Sequence, residues 1–335
     1  DTPLGHLAGG GTMANLEALW VSGRLHPGKR VIASEQAHYT HSRITEVLSS
    51  PFASVDVDER GRMDVAAIEA QLASGDVGTI VVTIGSTGLG ALDPLPAILD
   101  LRTKYEFRIH ADAAYGGYFG LASELDETSR SVFDVLGEVD SIVIDPHKHG
   151  LQPYGCGCVM FRDPAVGALY KHDSPYTYFS SGDLHLGEIT LECSRPGASA
   201  VALWATQQLL PLVRGGEFAA QLDACLRAAR MFWHNLHNSS TFTPLMQPEL
   251  DIVVYAVNAA TTSESSTKAR QVFVEAAKRE LHLALVELPV DVVSRYAPEI
   301  EVDSETVTCL RSVLMKPEHE NWLERITALL EASAQ

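Results

Sequence analysis

The sequence predicts an α/β fold, with a mainly parallel sheet covered by helices, followed by a smaller α+β domain at the C-terminal end. Short apolar, β-branched runs recur at "RVIAS", "GTIVVTIGS", "FRIHADAA", "DSIVID" and "CGCVMF". Helical patterns separate most of them, at "TMANLEALWVSGR", "THSRITEVLSS", "DVAAIEAQLA" and "DPLPAILDLRTKY". Strands and helices alternating in this way form βαβ units, whose sheet is parallel and buried on both faces. The rhythm changes beyond "SRPGASAVALWATQQLLPLVRGGEF", where a long helix starts after Pro196-Gly197 and runs toward Gly215-Gly216, a hinge. A helical stretch at "AQLDACLRAARMFWHNLH", a strand at "DIVVYAV", and helices at "STKARQVFVEAAKREL" and "ENWLERITALLEASA" follow. The expected division is residues 1–214 for the large domain and 215–335 for the small one.

A length of 335 residues is enough for this pair of domains. Forty-three acidic against 25 basic residues give a formal net charge of -18, which repels phosphate backbones and anionic lipid surfaces and argues against nucleic acid as a partner. No apolar run approaches the roughly 20 residues needed to span a bilayer, and nothing at the start reads as a signal peptide. Cys156, Cys158, Cys193, Cys225 and Cys309 are odd in number and lack zinc or disulfide spacing, so they read as reduced thiols of a cytoplasmic protein. The chain begins at Asp1 and enters a glycine-rich turn almost at once, which suggests that a segment upstream has been removed or left out.

Chemistry concentrates at strand ends. Lys148, in "DPHKHG", follows "DSIVID"; an amine at the mouth of a buried strand loses hydration and becomes a usable nucleophile toward aldehydes. An isolated lysine there is more often a solvated surface group, so other residues must supply a cofactor site. Asp112 closes "FRIHAD" ahead of two alanines, a carboxylate that can pair with a protonated ring nitrogen beside small side chains that admit a flat ring. The pyridine of pyridoxal phosphate (PLP) asks for that combination, although a lone aspartate at a strand end is more often a turn or cap residue. Gly9-Gly10-Gly11-Thr12 ahead of "MANLEALW" reads as a turn feeding a helix whose free N–H groups and Thr12 hydroxyl attract an anion. That signal is weak alone, since it lacks the lysine of a P-loop and no strand is expected before it. His38, after "RVIAS", can lie over a flat ring, and Thr87 offers a hydroxyl beyond another strand. The pairs His147-x-His149, His38-x-x-His41 and His234-x-x-His237 lack carboxylate or cysteine partners, and no metal is assigned.

In their order, "GGTMAN", "SEQAHYT", "TIGSTGLGALDPL", "HADAAYGGYF" and "DPHKHGLQPYGCG" resemble the successive motifs of the PLP-dependent group II amino-acid decarboxylases. That family has the fold of the aspartate aminotransferase superfamily (fold type I), a PLP-dependent transferase-like large domain with a seven-stranded-type sheet. The resemblance runs from Gly9 to about Leu210, and "LRSVLMKPEHENWLERI" is similar to the family's C-terminal segment, with Lys316 in place of a common asparagine. It implies that Lys148 binds the cofactor's aldehyde covalently and that Asp112 keeps its ring nitrogen protonated. It further implies that His38 stacks on the ring opposite Ala114, that Gly11, Thr12 and His147 hold the phosphate, and that Thr87 contacts the cofactor near its ring. A tyrosine on a loop, Tyr178 rather than Tyr176, would deliver the proton that replaces carbon dioxide.

The implied activity is decarboxylation of an L-amino acid to its amine in a homodimer with sites at the subunit interface. Two other readings compete: a PLP-dependent carbon-carbon lyase resembling sphingosine phosphate lyase, and a cofactor-free pseudoenzyme acting as an interaction module. An oxidative reaction releasing aldehyde and ammonia is a lesser alternative. The visible motifs do not choose the amino acid. His149 has no role in this reading.

Overall fold

In this computed structural model the structure describes residues 2–171, 190–192 and 194–335. Among these residues the first sheet has seven strands: β1 (Leu4–Ala8), β2 (Arg30–Ser34), β3 (Phe52–Val55), β4 (Val77–Thr83), β5 (Arg108–Asp112), β6 (Ser141–Ile144) and β7 (Gly157–Phe161). Their order is β1-β7-β6-β5-β4-β2-β3. Within the sheet only β7 runs against its neighbours, so the mainly parallel sheet expected from the alternation is present.

One expectation fails: a strand does precede the glycine turn. "LGHLA" carries a glycine and a histidine in five residues and has no strand signal of its own; pairing with β7 makes it one. Gly5 permits the approach, since a Cβ there would lie 2.8 Å from Met160 Cγ. The short β3 was equally silent in the sequence.

The helices interleaved with this sheet are α1 (Gly11–Leu25), α2 (Thr40–Val47), α3 (Val65–Leu72), α4 (Leu95–Asp100) and α5 (Glu127–Asp134). They cover both faces. All seven residues of β4 are buried, with Ile80 and Val82 in a core shared with α3 and α4, and Val81 in one shared with Leu19 of α1 and Ile44 of α2. That two-sided burial is why "VGTIVVT" reads as a continuous apolar run rather than an alternating one.

Helix α6 (Gly197–Leu209) follows, then α7 (Glu217–Leu236), α8 (Thr262–Lys278), α9 (Val290–Ser294) and α10 (His319–Ser333). Strands β8 (Phe242–Pro244), β9 (Ile252–Val257), β10 (Ala284–Pro289) and β11 (Thr306–Val313) form an antiparallel sheet in the order β10-β11-β9-β8. On one face Val253 and Tyr255 of β9 pack with Phe232 of α7, Val272 of α8 and Leu330 of α10. On the other, Ile252 and Val254 pack with Leu89 and Ala91, which follow β4. Helix α7 serves both halves: Phe218, Leu222 and Leu226 lie in the core of the large sheet, whereas Phe232 and Leu236 lie in that of the small one.

Candidate active site

The carboxyl ends of β1, β2, β4, β5 and β6 open on one cavity of about 330 Å³, a size suited to a small molecule. Open parallel sheets bind ligands at this edge because loops and helix N-termini converge there. Gly11, Thr12, His38, Thr87, Asp112, Ala114, His147 and Lys148 all line the cavity. Tyr178 and Tyr176 lie outside the described residues.

Asp112, the last residue of β5, is buried at the cavity wall and held by three donors. His41 Nε2 donates to its Oδ2 at 2.8 Å, Asn15 Nδ2 donates to the same oxygen at 3.3 Å, and the Ala114 N–H reaches Oδ1 at 3.2 Å. Behind it, His110 Nε2 lies 2.7 Å from Asn15 Oδ1 and its Nδ1 lies 2.9 Å from Ser141 Oγ. With Asn15 donating to Asp112, its Oδ1 must accept from His110 Nε2–H; in the neutral ring His110 Nδ1 then accepts from the Ser141 hydroxyl. Burial lowers His110 to about 3, in keeping with that tautomer. Burial alone would raise the Asp112 carboxyl, but the His41 hydrogen bond and the positive field of His41 and Lys148 hold it well below the usual carboxylate range.

Lys148 is half-buried, and its ammonium sits 3.1 Å from Asp145 Oδ2. Asp145 follows β6 and also faces His147 Nε2 at 3.4 Å. Burial raises its carboxyl against the pull of Lys148 and His147. His38 Nδ1 accepts from the Thr40 hydroxyl at 2.7 Å. Burial lowers His38, and Lys148 and His41 lower it further against the pull of Asp112.

The residues present fit PLP. A phosphate needs a concave set of donors without side chains in the way, and α1 begins at the cavity with no side-chain cap and no acid in its first turn. Gly10 has φ 148°, a backbone a side chain rarely adopts, and a Cβ on Gly157 would lie 2.5 Å from its carbonyl carbon. Thr83 Oγ1, Asp145 Oδ1 and His147 Nδ1 are buried without a hydrogen-bond partner among the described residues. Thr83 and Asp145 also line the cavity with His147, so a polar ligand there has groups waiting for it. Opposite, a buried carboxylate held ionised suits a ring N–H, and Lys148 suits an aldehyde.

Sequence reading missed Asn15, Asp145 and the part played by His41. Asn15 had a signal, one turn of α1 beyond the glycines. Asp145 had one too, in the "DPHK" stretch.

Comparison with known proteins agrees with this geometry. The family model described as the pyridoxal-dependent decarboxylase conserved domain matches residues 13–258. A probable L-aspartate decarboxylase of Pyrococcus furiosus is 29% identical over 269 residues, covering 79% of this chain and 70% of that protein. The L-aspartate decarboxylase of Thermococcus kodakarensis is 30% identical over 274 residues, covering 79% of this chain and 68% of that one. The crystal structure of mouse CSAD superposes with a TM-score of 0.82 at 20% identity, covering 100% of this chain and 72% of that chain, a likeness of fold. With most of its length matched by that model, the chain belongs to the pyridoxal-dependent decarboxylase family, and is a PLP-dependent amino-acid decarboxylase.

Proposed function

We propose that Lys148 binds the cofactor aldehyde covalently and that Asp112 accepts the hydrogen bond of the ring N–H. His38 and Ala114 take opposite faces of the ring, Thr87 contacts the cofactor near it, and Gly11, Thr12 and His147 take the phosphate. The observation that supports this reading is the convergence of all eight side chains and backbone positions on a single cavity. When bound, PLP supplies an electron sink for the bonding pair left behind by carbon dioxide. The protein's share is orientation and charge. Asp112, kept ionised by its donors, stabilises positive charge on the ring nitrogen. Asp145 holds the Lys148 amine in place through their 3.1 Å contact, and burial raises its carboxyl. Tyr178 delivers the proton that replaces carbon dioxide.

L-Aspartate, named for both relatives, is the first substrate to test. The described lining holds one lysine and no arginine, so a side-chain carboxylate on the substrate would be met by a group beyond it. Helix α6 points to such a source. None of its residues is buried, and it exposes Val201, Trp204 and Leu209, an apolar face suited to a second copy of the chain in a homodimer. The free cysteines suit the cytoplasm. The two sheets suit a division of the chain at Gly215, with α7 fastening the halves.

The test is reconstitution with PLP followed by carbon dioxide release across a panel of L-amino acids. A visible absorbance band that Lys148→Ala abolishes, together with release from one class of substrate, is the expected result. A protein that takes up no cofactor, or one that yields aldehyde and no carbon dioxide, overturns the reading.

A further inference from the structure

The two histidines of "HYTH" take separate places. His38 lines the cavity and its Nδ1 is occupied by the Thr40 hydroxyl. His41, in the first turn of α2, is buried behind β5 and turned to the carboxylate, with Nε2 2.8 Å from Asp112 Oδ2. Its Nδ1 is buried with no hydrogen-bond partner among the described residues. A residue that merely filled the space behind β5 would be apolar, since burying a ring nitrogen without a partner costs free energy. What the molecule obtains from the imidazole is its single hydrogen bond.

That bond acts with a second one. Asn15 donates to the same oxygen, and Asn15 is itself fixed by His110, which Ser141 fixes in turn. Both side-chain donors therefore fall on Oδ2. Oδ1 receives one backbone N–H and retains capacity for another donor, because each carboxylate oxygen accepts two. The carboxylate cannot rotate without losing both side-chain bonds.

We propose that His41 is a positioning residue: its hydrogen bond fixes the rotation and the charge of the Asp112 carboxylate, and so sets how strongly the site prefers a cofactor ring that carries an N–H. The inference rests on the reading of Asp112 as the partner of the ring nitrogen. It assigns His41 no contact with cofactor or substrate.

The test compares PLP with its analogue in which CH replaces the ring nitrogen, using equilibrium dialysis of the full chain. The native protein is expected to prefer PLP. His41→Leu should weaken PLP binding about tenfold to a hundredfold, the range for a hydrogen bond to a charged group, and leave the analogue's affinity unchanged. Equal weakening of both ligands, or of neither, overturns the proposal, since a general packing defect does not distinguish them. Asp112→Asn is measured beside it. If that variant keeps the preference for PLP, the reading of Asp112 falls and the inference with it; if it loses the preference while His41→Leu keeps it, only the inference falls. Should His41→Leu fail to fold, His41→Phe decides, because it fills the space with a ring that has no donor. Weaker PLP binding with the analogue's affinity unchanged supports the proposal, and an unchanged preference for PLP overturns it.

Discussion

Two buried histidine–aspartate pairs with the same 2.8 Å separation stand on either side of Tyr115, and they do different work. In the first, His41 and Asn15 hold one oxygen of Asp112, and the carboxylate keeps a face on the cavity. In the second, Asp251 is fully enclosed; its Oδ2 accepts from His149 and its Oδ1 accepts from the Tyr115 hydroxyl at 2.6 Å. The other nitrogen of His149 lies 3.1 Å from the Tyr115 carbonyl, and its ring meets the edges of Tyr115 and Phe119. Nothing in the pair's own geometry separates a site from a strut. What separates them is access. Asp112 lines the cavity, where Oδ1 has capacity for a ligand, whereas Asp251 is sealed away from it and ties the residue after Lys148 to the segment that leads into β9.

The largest expected effect breaks the strut. Asp251→Ala leaves the Tyr115 hydroxyl and His149 Nε2 unpaired in a sealed space, and should cost about 3–5 kcal/mol in urea unfolding. A loss below 1 kcal/mol would mean that water reaches the pair and that its sealed character is wrong. Asp112→Asn should show the opposite pattern. The amide oxygen still accepts from His41 and Asn15 and only the 3.2 Å bond from the Ala114 N–H is lost, so unfolding should change by about 1 kcal/mol, while the charge facing the cavity is gone. Turnover should fall by about 10²–10³, the scale for losing one preorganised electrostatic contact. Similar damage to stability in both variants would erase the distinction.

The sequence disclosed the two pairs unequally. Asp112, Lys148 and His38 could be found because each stands at the end of an apolar run, and an ordered set of short local motifs surrounds them. His149 sat beside Lys148 without a role because its partner lies 102 positions away. His41 is likewise 71 positions from Asp112, and Asn15 is 97. Local propensity carries no record of such pairings; they exist only once β5 and the first turns of α1 and α2 are brought together. Strand β1 was lost for a related reason, as it owes its extended form to β7 rather than to its own five residues. The large sheet was legible because two-sided burial writes itself into composition. The small sheet was half-seen, with β9 apolar on both faces and β8, β10 and β11 overlooked.

Acid offers a subtler way to separate the pairs. His110 sits behind Asp112 with its pKa lowered to about 3 by burial, against an ordinary value of 6.5. Its folded value is depressed, so the unfolded chain takes the proton first. Stability from this group is complete above pH 6.5 and drains away as pH falls toward 3. At pH 5 the loss should be about 2 kcal/mol. Asp112 contributes little there, because its own loss begins only near the ordinary carboxylate range. Asp93 works in the other direction, since burial pushes it up to about 7 and the folded state binds its proton first. The measurement is therefore a difference. Between pH 7.5 and 5, the native chain should lose about 2 kcal/mol more than His110→Gln, and parallel curves would show that His110 does not titrate in this window.

The smallest effect tests the shared residue. Tyr115 lines the cavity and is the described tyrosine that a search for a proton donor would choose. Its hydroxyl is already committed: it donates to Asp251, and burial together with that carboxylate raises it well above the usual phenol range. A group that holds its proton this tightly, pointed into a carboxylate, is poorly suited to deliver it to a reacting carbon. Tyr115→Phe should thus cost about 1.5 kcal/mol of stability, the value of a hydrogen bond to a charged group. Turnover should stay within about threefold of the native value, under 1 kcal/mol of barrier. A collapse of turnover with stability preserved would move Tyr115 from the strut to the site. It would then displace the proposal of Tyr178 as the proton donor, because the same hydroxyl cannot both seal Asp251 and serve the cavity.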